Sequence, residues 1–186
     1  MHPDDQRARS WSEERLVLRA QAGDPLALDE LLRRYERPLF RHIYRLTRDE
    51  AASYDTLQDS YIAILRSIRK LRSSASFRPW AYGVATRTCL KALSRRHRHQ
   101  YVELSAEPLD PMPLPDSLAS AREEMEALID HVLVLSPRLR AVILLHFFEG
   151  LTLKQVAAAL EVSIGTVKSR LAAGLTHLRH GHMTGG

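Results

Sequence analysis

The chain has one cysteine, Cys89, in 186 residues. A lone thiol excludes an internal disulfide and a thiolate cluster for zinc, and it fits a reducing compartment. No apolar run approaches the roughly 20 residues that a membrane helix requires. The amino terminus, MHPDDQRARSWSEERL, carries charges where a signal peptide needs an apolar stretch, so the chain reads as cytosolic with no membrane contact. No alternating strand pattern and no internal repeat is present. Phosphate-binding glycine loops, a nucleophile elbow and paired carboxylates in a pocket-like context are also missing, which leaves catalysis without support and calls for no cofactor. The nine histidines include His97 with His99, and His177 with His180 and His182. Neither set has a carboxylate or thiolate at ligand spacing to complete it, so both read as basic surface and tail, and no metal site is expected.

What is present is a 45% hydrophobic chain with a formal charge of +5, enough for one or two modest cores and a preference for polyanionic partners. The charge is unevenly placed. From Arg87 to His99 there are five lysines or arginines and no acid, whereas from Glu103 to Ser120 there are four acids and no base. The second stretch also carries Pro108, Pro111, Pro113 and Pro115, which remove amide donors and disfavour helix before each, so it reads as a linker.

On either side the periodicity is helical. A short helix is expected over about residues 12–22, and Asp24-Pro25 opens a long one with an apolar stripe through Leu28, Leu31, Leu32, Tyr35, Leu39, Ile43 and Leu46. Thr47 and Glu50 resemble a capping box for the next helix, in which Leu57, Tyr61, Ile62, Leu65 and Ile68 suggest one apolar face. After the polar break at 72–76, Trp80, Val84, Cys89 or Leu90, and Leu93 recur at helical spacing. Beyond the linker, AREEMEALIDHVLVL is helical, Ser136-Pro137 starts a helix to Phe148, and Gly150 is a fitting cap. TLKQVAAALEV and SIGTVKSRLAAGLTHLR follow across a tight turn, with Ala157, Val162, Val167 and Leu171 placed to form a common core. The expected fold is all-α: an N-terminal helix bundle and a C-terminal helix-turn-helix domain joined by a Pro-rich acidic linker.

In a helix-turn-helix the second helix enters the major groove. Ser163, Thr166, Lys168, Ser169 and Arg170 supply hydroxyls and cations there. Arg87, Lys91, Arg95, Arg96 and Arg98 form a second basic ridge. Phe77, Trp80 and Tyr82 lie just before it, the kind of aromatic neighbourhood that stacking on unpaired bases requires, although Trp80 reads mainly as core.

These segments resemble bacterial RNA polymerase sigma factors of the sigma-70 superfamily, in their two-domain extracytoplasmic-function (ECF) form. DTLQDSYIAILRSI looks like the polymerase-binding helix, FRPWAYGVATRTCLKALSRR like the segment that opens and reads the −10 element, and LSPRLRAVILLHFFEGLTLKQVAAALEVSIGTVKSRL like the −35-binding domain. The resemblance implies a region 2-like domain at 10–100, a linker at 101–120 and a region 4-like domain at 121–181. It implies core RNA polymerase (β′ clamp helices and β flap) and promoter DNA as partners, and no enzymatic activity. Polymerase binding would fall to Asp55, Thr56, Gln58 and Asp59. Contacts with −10 DNA would come from the loop at 71–77, Phe77, Arg78, Arg87, Lys91, Arg95 and Arg96, and −35 contacts from Ser163, Thr166, Lys168, Ser169 and Arg170. The alternative class is a free-standing helix-turn-helix regulator.

Three positions depart from the family pattern. Arg87 stands where asparagine is usual, Ala172 and Ala173 replace larger residues on the recognition helix, and Ala52-Ser53-Tyr54-Asp55 replaces an acidic run. A phosphate on Thr56, or less favourably Ser53, would restore negative charge at the helix start, where the helix dipole also favours it. This resembles a sigma subgroup activated by a Ser/Thr kinase, the alternative being control by an anti-sigma factor.

Overall fold

The computed structural model describes residues 10–100 and 132–182, and all of the secondary structure there is helical. The Pro-rich linker, most of the helix expected over 121–135 and the last four residues lie outside the described residues. Helix α1 spans Glu13–Gln21, α2 Pro25–Thr47, α3 Glu50–Ser67 and α4 Phe77–Gln100. The C-terminal part contains α5 at Pro137–Ile143, α6 at Leu153–Leu160 and α7 at Ile164–His182.

Local signals set most helix starts. Ser12 accepts a hydrogen bond from the Arg15 amide at 3.3 Å, and Asp24 accepts from the Leu26 and Ala27 amides ahead of a proline in the first turn. Such caps satisfy amides that the helix itself leaves unpaired. The capping box expected from Thr47 and Glu50 does not form. Helix α2 ends at Thr47, Arg48 turns left-handed with φ 53°, and Asp49 caps α3 by accepting from the Ala52 amide at 2.8 Å. Thr47 instead closes α2 by donating to the Ile43 carbonyl.

The larger correction concerns the faces of α3. Leu57, Ile64 and Ile68 are buried, but Ile62 and Leu65 are 45% and 56% exposed. The inward stripe is completed by Ser53, Thr56 and Ser60, all buried. Small hydroxyl residues let α3 approach its neighbours α2 and α4. Ser53 donates to the Asp49 carbonyl and Ser60 to the Thr56 carbonyl, each at 2.6 Å.

The N-terminal part of the hydrophobic core is built from Leu16, Val17, Leu31, Leu39, Ile43, Leu46 and Phe77, and it continues into Val142, Leu144 and Leu145 of the C-terminal domain. In the C-terminal domain α5 widens into a π-turn over Leu144–Phe148, where the Glu149 amide bonds the Leu144 carbonyl at 3.0 Å. Gly150, at φ 66°, ends it where a side chain would be strained. The widened turn matters because it aims Glu149 back at the N-terminal bundle.

Cys89 is fully buried, and burial pushes its thiol up to about 12 from 9.0. Because the thiolate is the nucleophile, the native chain is expected to react with a thiol reagent at pH 8 roughly a thousandfold more slowly than the urea-unfolded chain. Equal rates would show that Cys89 is not held inside.

Candidate nucleic-acid interface

Helix α6 opens with a reciprocal capping box. Thr152 Oγ1 accepts from the Gln155 amide at 3.2 Å, and Gln155 Oε1 accepts from the Thr152 amide at 2.9 Å. It closes at Glu161, whose left-handed φ of 55° makes the turn. Ser163 then caps α7, its Oγ accepting from the Thr166 amide at 3.0 Å and pairing with Thr166 Oγ1 at 2.9 Å. Val167 points inward and is fully buried, while Lys168, Ser169, Ala172 and Ala173 face solvent. The five candidates thus gather on the first turns of α7 with unequal freedom. Ser163 and Thr166 bond to each other, Ser169 donates to the Thr166 carbonyl, Lys168 is exposed, and Arg170 is half-buried beside a cleft.

Helix α4 divides its candidates. Lys91 and Arg95 are exposed. Arg96 pairs with Asp49 at 2.7 Å, and that carboxyl is held below its usual range by the Ala52 amide and then by Arg96. Phe77 is not available for bases: it is fully buried, with its ring edge-on to Tyr35 at 5.1 Å. Tyr82 is likewise buried, and Trp80 leans on Phe77 at 5.7 Å, half-buried. This corrects the expected aromatic platform, because the bundle core takes rings that could otherwise stack on unpaired bases. The preceding loop is pinned to α1: Gln21 donates to the Ile68 and Leu71 carbonyls, and Ser74 donates to Glu14. Arg72, Ser73 and Ser76 remain exposed there.

On α3, Asp55, Gln58 and Asp59 are exposed and continuous with Tyr54, Ile62 and Leu65, forming a stripe both acidic and apolar. Thr56 and Ser53 do not share it, at 3% and 0% exposure. Both proposed phosphate acceptors therefore face the bundle interior.

Sequence reasoning missed the residues that join the two domains. Glu149 enters a buried site where its Oε1 lies 3.3 Å from His42 Nδ1 and 3.4 Å from Arg45 Nη1. Thr86 uses its hydroxyl proton on the Tyr82 carbonyl, so it accepts from His42 Nε2 at 2.8 Å. His42 thus lies between Glu149 and Thr86, fully buried. Burial pushes the Glu149 carboxyl upward, but the hydrogen bond and charge of His42, helped by Tyr82 and Arg45, hold it below its ordinary value. Its stabilising contribution is therefore present at neutral pH and lost as pH falls through the lowered value.

Around this site the backbones meet. Arg78 donates to the Glu149 carbonyl at 2.6 Å, Arg87 donates to the Ala159 carbonyl and lies 3.3 Å from Glu161, and Arg140 donates to the Leu46 carbonyl. A Cβ on Gly83 would stand 2.6 Å from the Ala159 carbonyl oxygen, so only glycine fits. A cleft of about 350 Å3 beside this seam is lined by Arg87, Lys91 and Ser94 from α4 and by Arg138, Val162 and Arg170 from the C-terminal domain. The one sequence signal was a lone acid, Glu149, between Phe148 and Gly150 at the end of an apolar run.

Family models for sigma-70 region 2 and sigma-70 region 4 match residues 31–99 and 133–180. The ECF RNA polymerase sigma factor SigM of Mycobacterium tuberculosis is 30% identical over 162 residues, covering 87% of this chain and 80% of that protein. The chain belongs to the ECF sigma factors of the sigma-70 family. The RNA polymerase sigma-H factor of Pseudomonas aeruginosa is 29% identical over 170 residues, 86% of this chain and 88% of the relative. A solved structure of the sigma factor RpoE with the anti-sigma factor NepR, from Bartonella quintana, shares the fold with a TM-score of 0.62 at 18% identity, covering 77% of this chain and 89% of that one. Sigma factors are non-enzymatic initiation factors that bind core RNA polymerase and promoter DNA. No described helix of this sigma factor is long and apolar enough to cross a membrane.

Proposed function

We propose that this sigma factor directs core RNA polymerase to specific promoters in the cytoplasm, with residues 10–100 and 121–181 as its two working domains. The observation that carries the reading is the exposed stripe on α3, where Asp55, Gln58 and Asp59 adjoin uncovered Tyr54, Ile62 and Leu65. An acidic rim around apolar side chains suits a basic helical surface such as the β′ clamp helices. Lys91 and Arg95, with Arg87 once it is released, would meet −10 DNA. Lys168 and Arg170 would meet −35 phosphates or bases, and the Ser163, Thr166 and Ser169 cluster would set the approach of α7.

The burial of Thr56 and Ser53 weighs on how such a factor is controlled. A kinase needs an accessible hydroxyl, and reaching either one requires the first turns of α3 to open. That observation favours control by an anti-sigma protein over phosphorylation, and the fold shared with an anti-sigma-bound RpoE is in keeping with it.

The test is affinity for a β′ clamp-helix fragment at fixed salt, with transcription from a responsive promoter alongside. Asp55→Lys and Asp59→Lys are each expected to lower affinity by at least about tenfold, and initiation with it. Unchanged affinity would remove α3 as the docking helix. Promoter binding that needs no polymerase would favour a free-standing helix-turn-helix regulator instead.

A further inference from the structure

We infer that α7 chooses its promoter element chiefly through thymine methyl groups, with Ile164 as the principal reader. The inference rests on the assignment of α7 to promoter DNA and adds the chemistry by which that helix distinguishes bases.

Ile164 is the first residue of α7, and it is 43% exposed. The core beneath the turn is made without it: Val167 is fully buried, and Val162 and Leu171 pack against the same core, which Ile164 does not join. Packing therefore does not explain an isoleucine at this position. Helix formation does not explain it either, because a β-branched residue is a weaker helix former than alanine and a first turn gains more from a carboxylate. What the position does have is a place: in a helix-turn-helix the N-terminal residues of the second helix meet base edges in the major groove.

The rest of that face narrows what it can read. Ile164, Lys168 and Ala172 follow at steps of four, with Ser169 and Ala173 beside them, and all five are exposed. From Ile164 to Ala172 the helix rises about 12 Å, comparable to the width of the major groove. Each base has its preferred partners there. Adenine takes asparagine or glutamine, cytosine takes a carboxylate, guanine takes arginine or lysine, and thymine takes an apolar contact on its C5 methyl. Residues 163–175 contain no asparagine, glutamine, aspartate or glutamate. Of the two cations, Lys168 is exposed and Arg170 is half-buried beside the cleft. The hydroxyl protons have local uses, Ser163 with Thr166 and Ser169 on the Thr166 carbonyl. The exposed face thus offers one ammonium group and the aliphatic carbons of Ile164, Ala172 and Ala173. A thymine methyl laid on those carbons takes apolar surface out of water on both sides, and no other base carries that group.

Uracil presents the hydrogen-bonding groups of thymine without the methyl, so replacing one by the other isolates the proposed contact and leaves the protein unaltered. The full chain with core RNA polymerase would first select promoters from a pool randomised over the −35 element. Each thymine of a selected duplex, on either strand, would then be replaced singly by uracil and the affinity of the same holoenzyme measured. Expected is a loss of about fourfold at one or more positions, the value of one buried methyl group. Ile164→Ala should weaken binding of the thymine duplex and become indifferent to uracil at the position Ile164 reads, while Ile164→Val should keep most of the discrimination. Because the side chain lies outside the core, both variants should melt within about 2 °C of the unaltered chain. A selected element without thymine, uracil tolerated at every position, or a uracil penalty undiminished in Ile164→Ala would overturn the inference while leaving the function untouched. A pool that yields no preferred −35 sequence would instead remove the assignment of α7 to promoter DNA, and would do so before any uracil is introduced.

Discussion

Thr56→Glu is expected to destabilise the N-terminal bundle by about 3 kcal/mol or more, and to leave affinity for the clamp-helix fragment no higher than that of the unmodified chain. Position 56 is 3% exposed and turned toward the interior between α2 and α4. A carboxylate there must lose its hydration, take up a proton, or drive the first turns of α3 outward. Asp55→Glu, one residue earlier on the exposed face, should change stability by less than about 0.5 kcal/mol. Urea unfolding of the two variants separates them directly. If Thr56→Glu matched Asp55→Glu in stability and bound the fragment more tightly, the buried placement would be wrong for the working state and phosphorylation would return as the favoured control.

The second large effect concerns Phe77. Phe77→Ala should remove about 3–5 kcal/mol and lower the melting temperature by something on the order of 10 °C, because a fully buried ring with an edge-on tyrosine partner leaves a cavity. Phe77→Leu should retain most of the stability and, with it, promoter recognition. A ring that stacked on an unpaired base would behave in the opposite way: both substitutions would weaken −10 binding while barely moving the melting temperature. Calorimetry and promoter-melting measurements on this pair therefore distinguish a core residue from a reader.

Features governed by neighbours in sequence were legible before any coordinates. Asp24-Pro25 and Ser136-Pro137 each announced a helix start, and Gly150 an ending, because caps and backbone conformation are decided within four or five residues. The packing partners were not legible. On α3 the apolar residues Ile62 and Leu65 looked like core and the hydroxyls like surface, and the reverse holds because α2 and α4 approach along the side where residues are small. Phe77 looked like part of a nucleic-acid site from its basic neighbours, although its position relative to Tyr35 decides its role. Glu149 meets His42 across 107 positions of chain, and no local periodicity encodes a pairing at that range.

Helix α7 runs without interruption from its Ser163 cap through 19 residues. Its first turns present Lys168 and Ser169 to solvent, while farther along, a Cβ on Gly174 would come within 3.3 Å of Ile143 on α5. The recognition helix is thus a rigid arm with its grip at one end and its bearing at the other. A small change at the bearing tilts the grip: at 1.5 Å per residue, the six residues from Lys168 to Gly174 span about 9 Å. Substituting Gly174 would re-aim the side chains entering the groove without altering any of them. On the proposed function, promoter preference would depend partly on how α7 is aligned on α5 at Gly174.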